Sequence, residues 1–166
     1  MINLKNKKPR TPIVATRKLI GKSIIMSFSE NKTADLWKSF MPRRNKIKDK
    51  ISGKLFSIQV YPPDFFENYS PGIEFEKRAA VEVFEFNSVP DGMEAFELPG
   101  GLYAVFEYKG KASEATDTFE YIFYDWLPKS KYDLDDRPHF EILGEKYKTD
   151  DPESEEEIWI PIKLKT

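Results

Sequence analysis

The chain has 166 residues, no cysteine, one histidine, and 26 Lys plus Arg against 28 Asp plus Glu, a net charge of −2. That length suits one domain, or two small halves sharing a core. The composition excludes a disulfide framework, a thiolate nucleophile and a Cys-based metal site, and leaves no global field for phosphate backbones.

With His139 alone, a His-rich zinc site or a His-based serine triad is not expected, and neither a metal nor a cofactor is called for. Forty per cent of residues are apolar and 14% aromatic. This supports a packed core and leaves rings over, so some rings are expected to line a concave surface. The basic start has no adjoining apolar stretch, and no run reaches membrane-span length. A cytoplasmic chain without a membrane partner is expected.

Residues 1–11 read as a flexible basic lead-in, and 12–166 as a single domain with halves at about 12–90 and 91–166. Residues 13–16 and 23–28 are β-rich. Asn31 or Thr33 can cap a helix in which Leu36, Trp37, Phe40 and Met41 keep helical spacing, until Pro42 breaks or bends it. Arg43, Arg44, Lys46, Lys48, Lys50 and Lys54 follow. Residues 55–61 form a strand with Phe56, Ile58 and Val60 on one face and Ser57, Gln59 and Tyr61 on the other. Pro62-Pro63 ends it. Residues 75–86 form a long strand sharing Ala80, Glu82, Phe84 and Phe86 on one face, and Pro90-Asp91-Gly92 turns the chain.

The order then repeats. Residues 93–98 and 102–108 are strands around the turn Pro99-Gly100-Gly101. A helix follows with Phe119, Ile122, Phe123 and Trp126 on its stripe, closed by Leu127-Pro128. After a loop at 132–137 come a strand at 139–147, an acidic loop at 148–155 and a last strand at 157–164.

Strand, helix, strand, strand thus occurs twice. The expected fold class is α+β: tandem β-α-β-β units forming one antiparallel sheet, with helices on one face and a central ligand cleft. The cleft is expected on the uncovered face, where alternation places Tyr61, Glu82, Phe84, Tyr103, Glu157 and Trp159. In the last strand Ile158, Ile160 and Ile162 face the core, while Glu157 and Trp159 face away together. A carboxylate beside a π-face suits a flat cation. The strand by itself fits a solvated edge better, since Pro161 lacks an N–H.

Four stretches carry a family resemblance over about residues 12–164. They are Leu98-Pro-Gly-Gly-Leu-Tyr-Ala-Val-Phe-Glu-Tyr-Lys-Gly110, Trp126-Leu-Pro128, Arg137-Pro-His-Phe-Glu141 and Glu157-Ile-Trp-Ile-Pro-Ile162, preceded by Phe75-Glu-Lys-Arg-Ala-Ala-Val-Glu-Val83. In this order they resemble the gyrase-inhibitor-like (GyrI-like) small-molecule-binding domain, which also serves as the effector-binding part of bacterial transcription activators. The resemblance implies a tandem β-α-β-β fold around a cleft for hydrophobic, cationic or planar compounds. It implies an acid at the start of the last strand pointing into that cleft, a position matched by Glu157, and this reverses the weighing of Glu157. Some members hydrolyse cyclopropane-containing compounds with a cleft carboxylate and aromatic side chains.

The remaining candidates read more plainly. Glu107 and Glu141 lie in strands, and Glu141 reads as structural between Phe140 and Ile142. Trp37 and Trp126 belong to core stripes. His139 takes no catalytic role. Pro99-Gly100-Gly101 is a tight turn, lacking the P-loop's Lys-Ser/Thr. Asp150, Asp151, Glu153, Glu155 and Glu156 form a solvated acidic turn, lacking the EF-hand spacing. The basic run at 43–54 is the surface for a protein partner if there is one, though a solvated face fits it better.

The expected function is a stand-alone binder of a small hydrophobic or cationic molecule, with Glu157, Trp159, Tyr103, Glu82, Phe84 and Tyr61 as ligand contacts. The alternatives are a small-molecule hydrolase using Glu157 and Tyr103, or a regulator of a larger partner such as gyrase. About a dozen residues precede the first strand, too few for a helix-turn-helix domain, so specific duplex DNA binding is not expected.

Overall fold

The computed structural model describes residues 2–166. A two-residue strand, β1 (Ile13–Val14), and a ten-residue strand, β2 (Arg17–Met26), lead in. The first unit then adds α1 (Thr33–Phe40), β3 (Leu55–Val60) and β4 (Phe75–Glu82) to β2. An edge strand, β5 (Glu94–Leu98), passes to the second unit, which begins with β6 (Gly101–Lys109). Its helix starts as α2 (Thr116–Glu120), continues as a π-helical stretch (Tyr121–Trp126) and closes as α3 (Leu127–Lys129). Then come β7 (Tyr132–Leu134), β8 (His139–Leu143) and β9 (Glu155–Leu164).

The strands form one sheet in the order β1-β6-β9-β8-β3-β4-β2-β5, with β7 also on β9. Every pairing is antiparallel. The two units therefore meet at the β3–β8 pair.

Register shows which residues share a face. Ala79 lies opposite Ser57, Ser57 opposite Glu141, and Glu141 opposite Ile158, so all four point to one side. Both helices cover that side. Leu36 and Phe40 of α1 pack with Ile20, Ala79 and Val81. Ile122, Phe119, Phe123 and Trp126 pack with Ala104, Phe106, Ile158 and Ile160. Asn31 accepts a hydrogen bond from the Thr33 N–H at 2.9 Å and fixes the entry to α1. Pro42 does not stop the chain there. It begins a 3-10 turn, Met41–Lys46, whose first turn needs no proline N–H.

Several expected boundaries move. Residues 2–11 of the expected flexible lead-in lie along β6: Lys109 N donates to Asn3 O at 2.8 Å, and Val105 N to Arg10 O at 2.8 Å. The outer edge of β6 offers unpaired backbone groups, and this segment satisfies them. β4 ends at Glu82 rather than 86, because the chain turns onto the loop at 49–51, where Phe84 N donates to Asp49 O at 3.0 Å. Residues 132–134, expected as loop, pair with β9. β8 stops at Leu143 rather than 147, and its end splays from β9.

β2 and β4 approach so closely that a Cβ on Gly21 would collide with the carbonyl oxygen of Ala79. Gly21→Ala is expected to destabilise the fold by about 1–3 kcal/mol, the cost of overpacking, measured by urea unfolding. A neutral result would mean that the strands separate without cost.

Candidate functional site

The face away from the helices was expected to hold the cleft. It is instead a filled core. The sheet curls until Leu19 and Leu98 from one end pack in one cluster with Tyr103, Val105, Phe140 and Trp159 from the other. Tyr103 is fully buried and Trp159 is 5% exposed. Trp159 stacks on Phe140 at 5.2 Å and meets Tyr103 edge-on at 5.6 Å. The Tyr103 hydroxyl donates to Pro99 O at 2.5 Å. Arg17 spreads over Phe56 and Trp159 at 5.4 and 5.3 Å and pairs with Glu82 at 3.1 Å.

Four of the six expected contacts, Glu82, Tyr103, Glu157 and Trp159, therefore share this face, but the two rings fill it rather than line a groove. Glu157 stands at its rim, accepting from Trp159 Nε1 at 3.2 Å and pairing with Arg10 at 2.7 Å. Phe84 lies past the end of β4 and is 62% exposed. Tyr61 points to the helix side, stacked on Phe65 at 4.5 Å, because it shares the parity of Ser57 and Gln59.

On the helix side, α1 packs on β2 and β4 and the second helix on β6 and β9. The seam between them runs over β3 and β8, and beyond the Leu55–Leu143 pair at one end the residues facing it are polar. They are Ser57 and Gln59 of β3, Lys77 of β4, His139 and Glu141 of β8, and Glu156 of β9. Gln59, Lys77 and His139 are buried. With its amide oriented to satisfy both ends, Gln59 donates to Glu141 Oε2 and to His139 O, each at 3.1 Å, and accepts from Lys77 Nζ.

Two carboxyl groups thus face one ammonium. Burial, reinforced by the Glu141 charge and tempered by Lys77, pushes the Glu156 carboxyl up to about 8. Burial raises Glu141 as well, against the pull of Lys77 and the Gln59 hydrogen bond. Burial lowers Lys77, against the attraction of Glu141 and Glu156.

Glu156 also borders a pocket of about 480 Å³ where β8 and β9 splay apart. Glu107, Glu145, Glu155 and Glu157 join it there, against Lys5, Lys54 and Lys146. Two of those lysines, Lys5 and Lys146, are already paired with Glu155. Among the described residues no group of three or more His, Asp or Glu is placed to hold a metal ion. No helix among them is long and apolar enough to cross a membrane.

From sequence the seam is missed: Glu141 reads as structural, and Lys77 enters only within the 75–83 stretch. A usable sign was present: charged residues fall at core parity, Lys77 between Phe75 and Ala79, and Glu141 opposite the inward Ile158. Glu156 was assigned to a solvated acidic turn, whereas β9 begins at Glu155 and turns its side chain inward.

A duplicated β-α-β-β sheet with a half-buried, acid-rich seam and an adjoining pocket defines a small-molecule-binding domain. The chain belongs to the GyrI-like small molecule binding domain family, whose sequence model matches residues 14–163. It is 28% identical over 146 residues to the transcriptional regulator BrlR of Pseudomonas aeruginosa, covering 87% of this chain and 51% of that protein. It therefore spans about half the length of that relative. Its fold is similar to SAV2435 bound to tetraphenylphosphonium (TM-score 0.70, 17% identity, 94% of each chain). It is also similar to the EcmrR C-terminal domain (TM-score 0.70, 14% identity, 95% of this chain and 98% of that one).

Proposed function

We propose that this domain binds a small, hydrophobic organic cation, and that the charge is met at Glu156, where the seam opens into the β8–β9 pocket, with Glu141 behind it in the seam. The observation that carries this reading is the imbalance of two enclosed carboxyl groups against the single ammonium of Lys77. Enclosing bare carboxylates is costly, so burial holds both toward the protonated form, and a cation entering the pocket would take the place of the proton. The pocket volume lies within the roughly 300–1,000 Å³ of small-molecule sites. Glu157 stands on the rim of the same pocket, paired with Arg10. That a structural neighbour was solved with a lipophilic cation supports the choice of ligand class.

The test is a titration with tetraphenylphosphonium and with triphenylphosphine oxide, a neutral compound of similar shape. The cation is expected to bind more tightly. Glu156→Gln should weaken it by roughly tenfold or more, the scale of a lost contact to a charged group, and leave the neutral compound unchanged. Equal affinity for both compounds, or no effect of Glu156→Gln, would refute the reading. Recovery of the probe unchanged is expected. Its consumption would favour a hydrolase instead.

A further inference from the structure

A second pocket, of about 340 Å³, lies beneath the loop between β3 and β4, bordered by Tyr61, Phe66 and His139. It shares no lining residue with the β8–β9 pocket. We infer that it is a separate small-molecule site, anchored by His139, for small planar cations that carry N–H donors.

His139 is 6% exposed. Phe66 stacks on its ring at 5.4 Å, Phe123 lies tilted at 5.9 Å, and Tyr61 meets it edge-on at 5.0 Å. Its ring contacts are with these three aromatics, and neither imidazole nitrogen has a hydrogen-bond partner among the described residues. Yet neither nitrogen is sealed from solvent, since the one unpartnered sealed side-chain atom among those residues is Arg78 Nε. His139 borders the pocket, and its nitrogens are among the atoms that reach its small exposed surface. A buried polar side chain ordinarily finds a partner. Here the partner has to come from the pocket.

Burial pushes the imidazole down to about 3, so it is neutral and offers one acceptor nitrogen. An N–H donor on the ligand meets it. The surrounding charge selects a cation. Asp135 is held by Arg137 at 2.8 Å, and the other Arg137 donors go to the carbonyls of Gly100, Leu102 and Ile162. Asp64, Glu67 and Asp136 also border the pocket and have no ion-pair partner among the described residues, whereas Lys163 is the one cation besides Arg137. The aromatic walls, Tyr61 and Phe66, add π-electron density that suits a cation.

The single histidine makes the test clean, because its imidazole resonances need no assignment. Benzamidine, a planar cation with N–H donors, is expected to shift the His139 ring nitrogen resonances saturably. Phenyltrimethylammonium, a cation with a ring and no N–H, should bind roughly tenfold more weakly. His139→Phe, which keeps a ring in the cluster, should abolish this preference. Should that variant not fold, Asp64→Asn with Asp136→Asn tests the charge, with benzamidine again expected to weaken. Glu141→Gln should leave the benzamidine response intact, which separates this site from the seam even if the seam binds nothing. Unchanged His139 resonances up to millimolar benzamidine, equal response to the two probes, or loss of the response in Glu141→Gln would each overturn the inference.

Discussion

Trp159→Ala is expected to destabilise the fold by about 3–5 kcal/mol, the range for removing a large buried ring. The indole is 5% exposed and stacks on Phe140. It also bears the edge of Tyr103 and the guanidinium of Arg17, and donates to Glu157. Truncation leaves a cavity where the two ends of the curled sheet meet, and Leu19, Leu98 and Val105 cannot all close on it. Trp159→Phe retains the stack and should cost much less. Denaturant unfolding at one pH decides the matter. A loss below about 1 kcal/mol, coupled to lost ligand affinity, would return Trp159 to the role of ligand contact that its strand position suggests.

The second large effect is on the pH dependence of stability. In the folded chain Glu156 keeps its proton to about pH 8, against an ordinary value of 4.5. Between those values the folded state binds more protons than the unfolded state, so stability falls as pH rises. His139 acts in the opposite sense. Its folded value is about 3 against 6.5, so its neutral burial gains stability as pH rises between them. The two oppose each other from about 4.5 to 6.5. Above 6.5 the histidine contribution is complete, and a decline of up to about 1.4 kcal/mol per pH unit is expected until about 8.

Glu141, also raised, adds to that decline. Lys77, lowered from 10.5, opposes it on the alkaline side. Unfolding of wild type and Glu156→Gln at pH 5, 6.5 and 8 isolates the glutamate. The difference between the two should grow from 6.5 to 8. A constant difference would mean that Glu156 is solvated and ionised throughout.

Local pattern carried much of this protein. Helical spacing at Leu36 and Phe40, and again at Phe119, Ile122 and Phe123, located both helices. Alternation in β3 and β9 separated their faces correctly: Ile158, Ile160 and Ile162 do face the second helix, and Glu157 and Trp159 do face away. The repeated element order then implied a two-unit antiparallel sheet with its helices on one side, as observed. These features depend on periodicities of 3.6 and 2, which a sequence states directly.

Which face is open is another matter. Alternation separates two faces but does not say that one will curl shut. That closure comes from the corner where Val14 pairs with Gly101 and Arg17 with Leu98, joining the ends of the sheet. It turned Tyr103 and Trp159 from expected ligand contacts into core. In the same way, only the β3–β8 pairing brought Gln59 to Glu141 across 82 positions of chain. Only that geometry set Lys77 beside Glu141 and Glu156, and left the His139 imidazole without a hydrogen-bond partner among the described residues. The sequence by itself determined the elements, their faces and the family. The tertiary structure decided which face is enclosed and which charges share the enclosure, because burial and Coulomb interaction depend on distances that only the folded sheet creates.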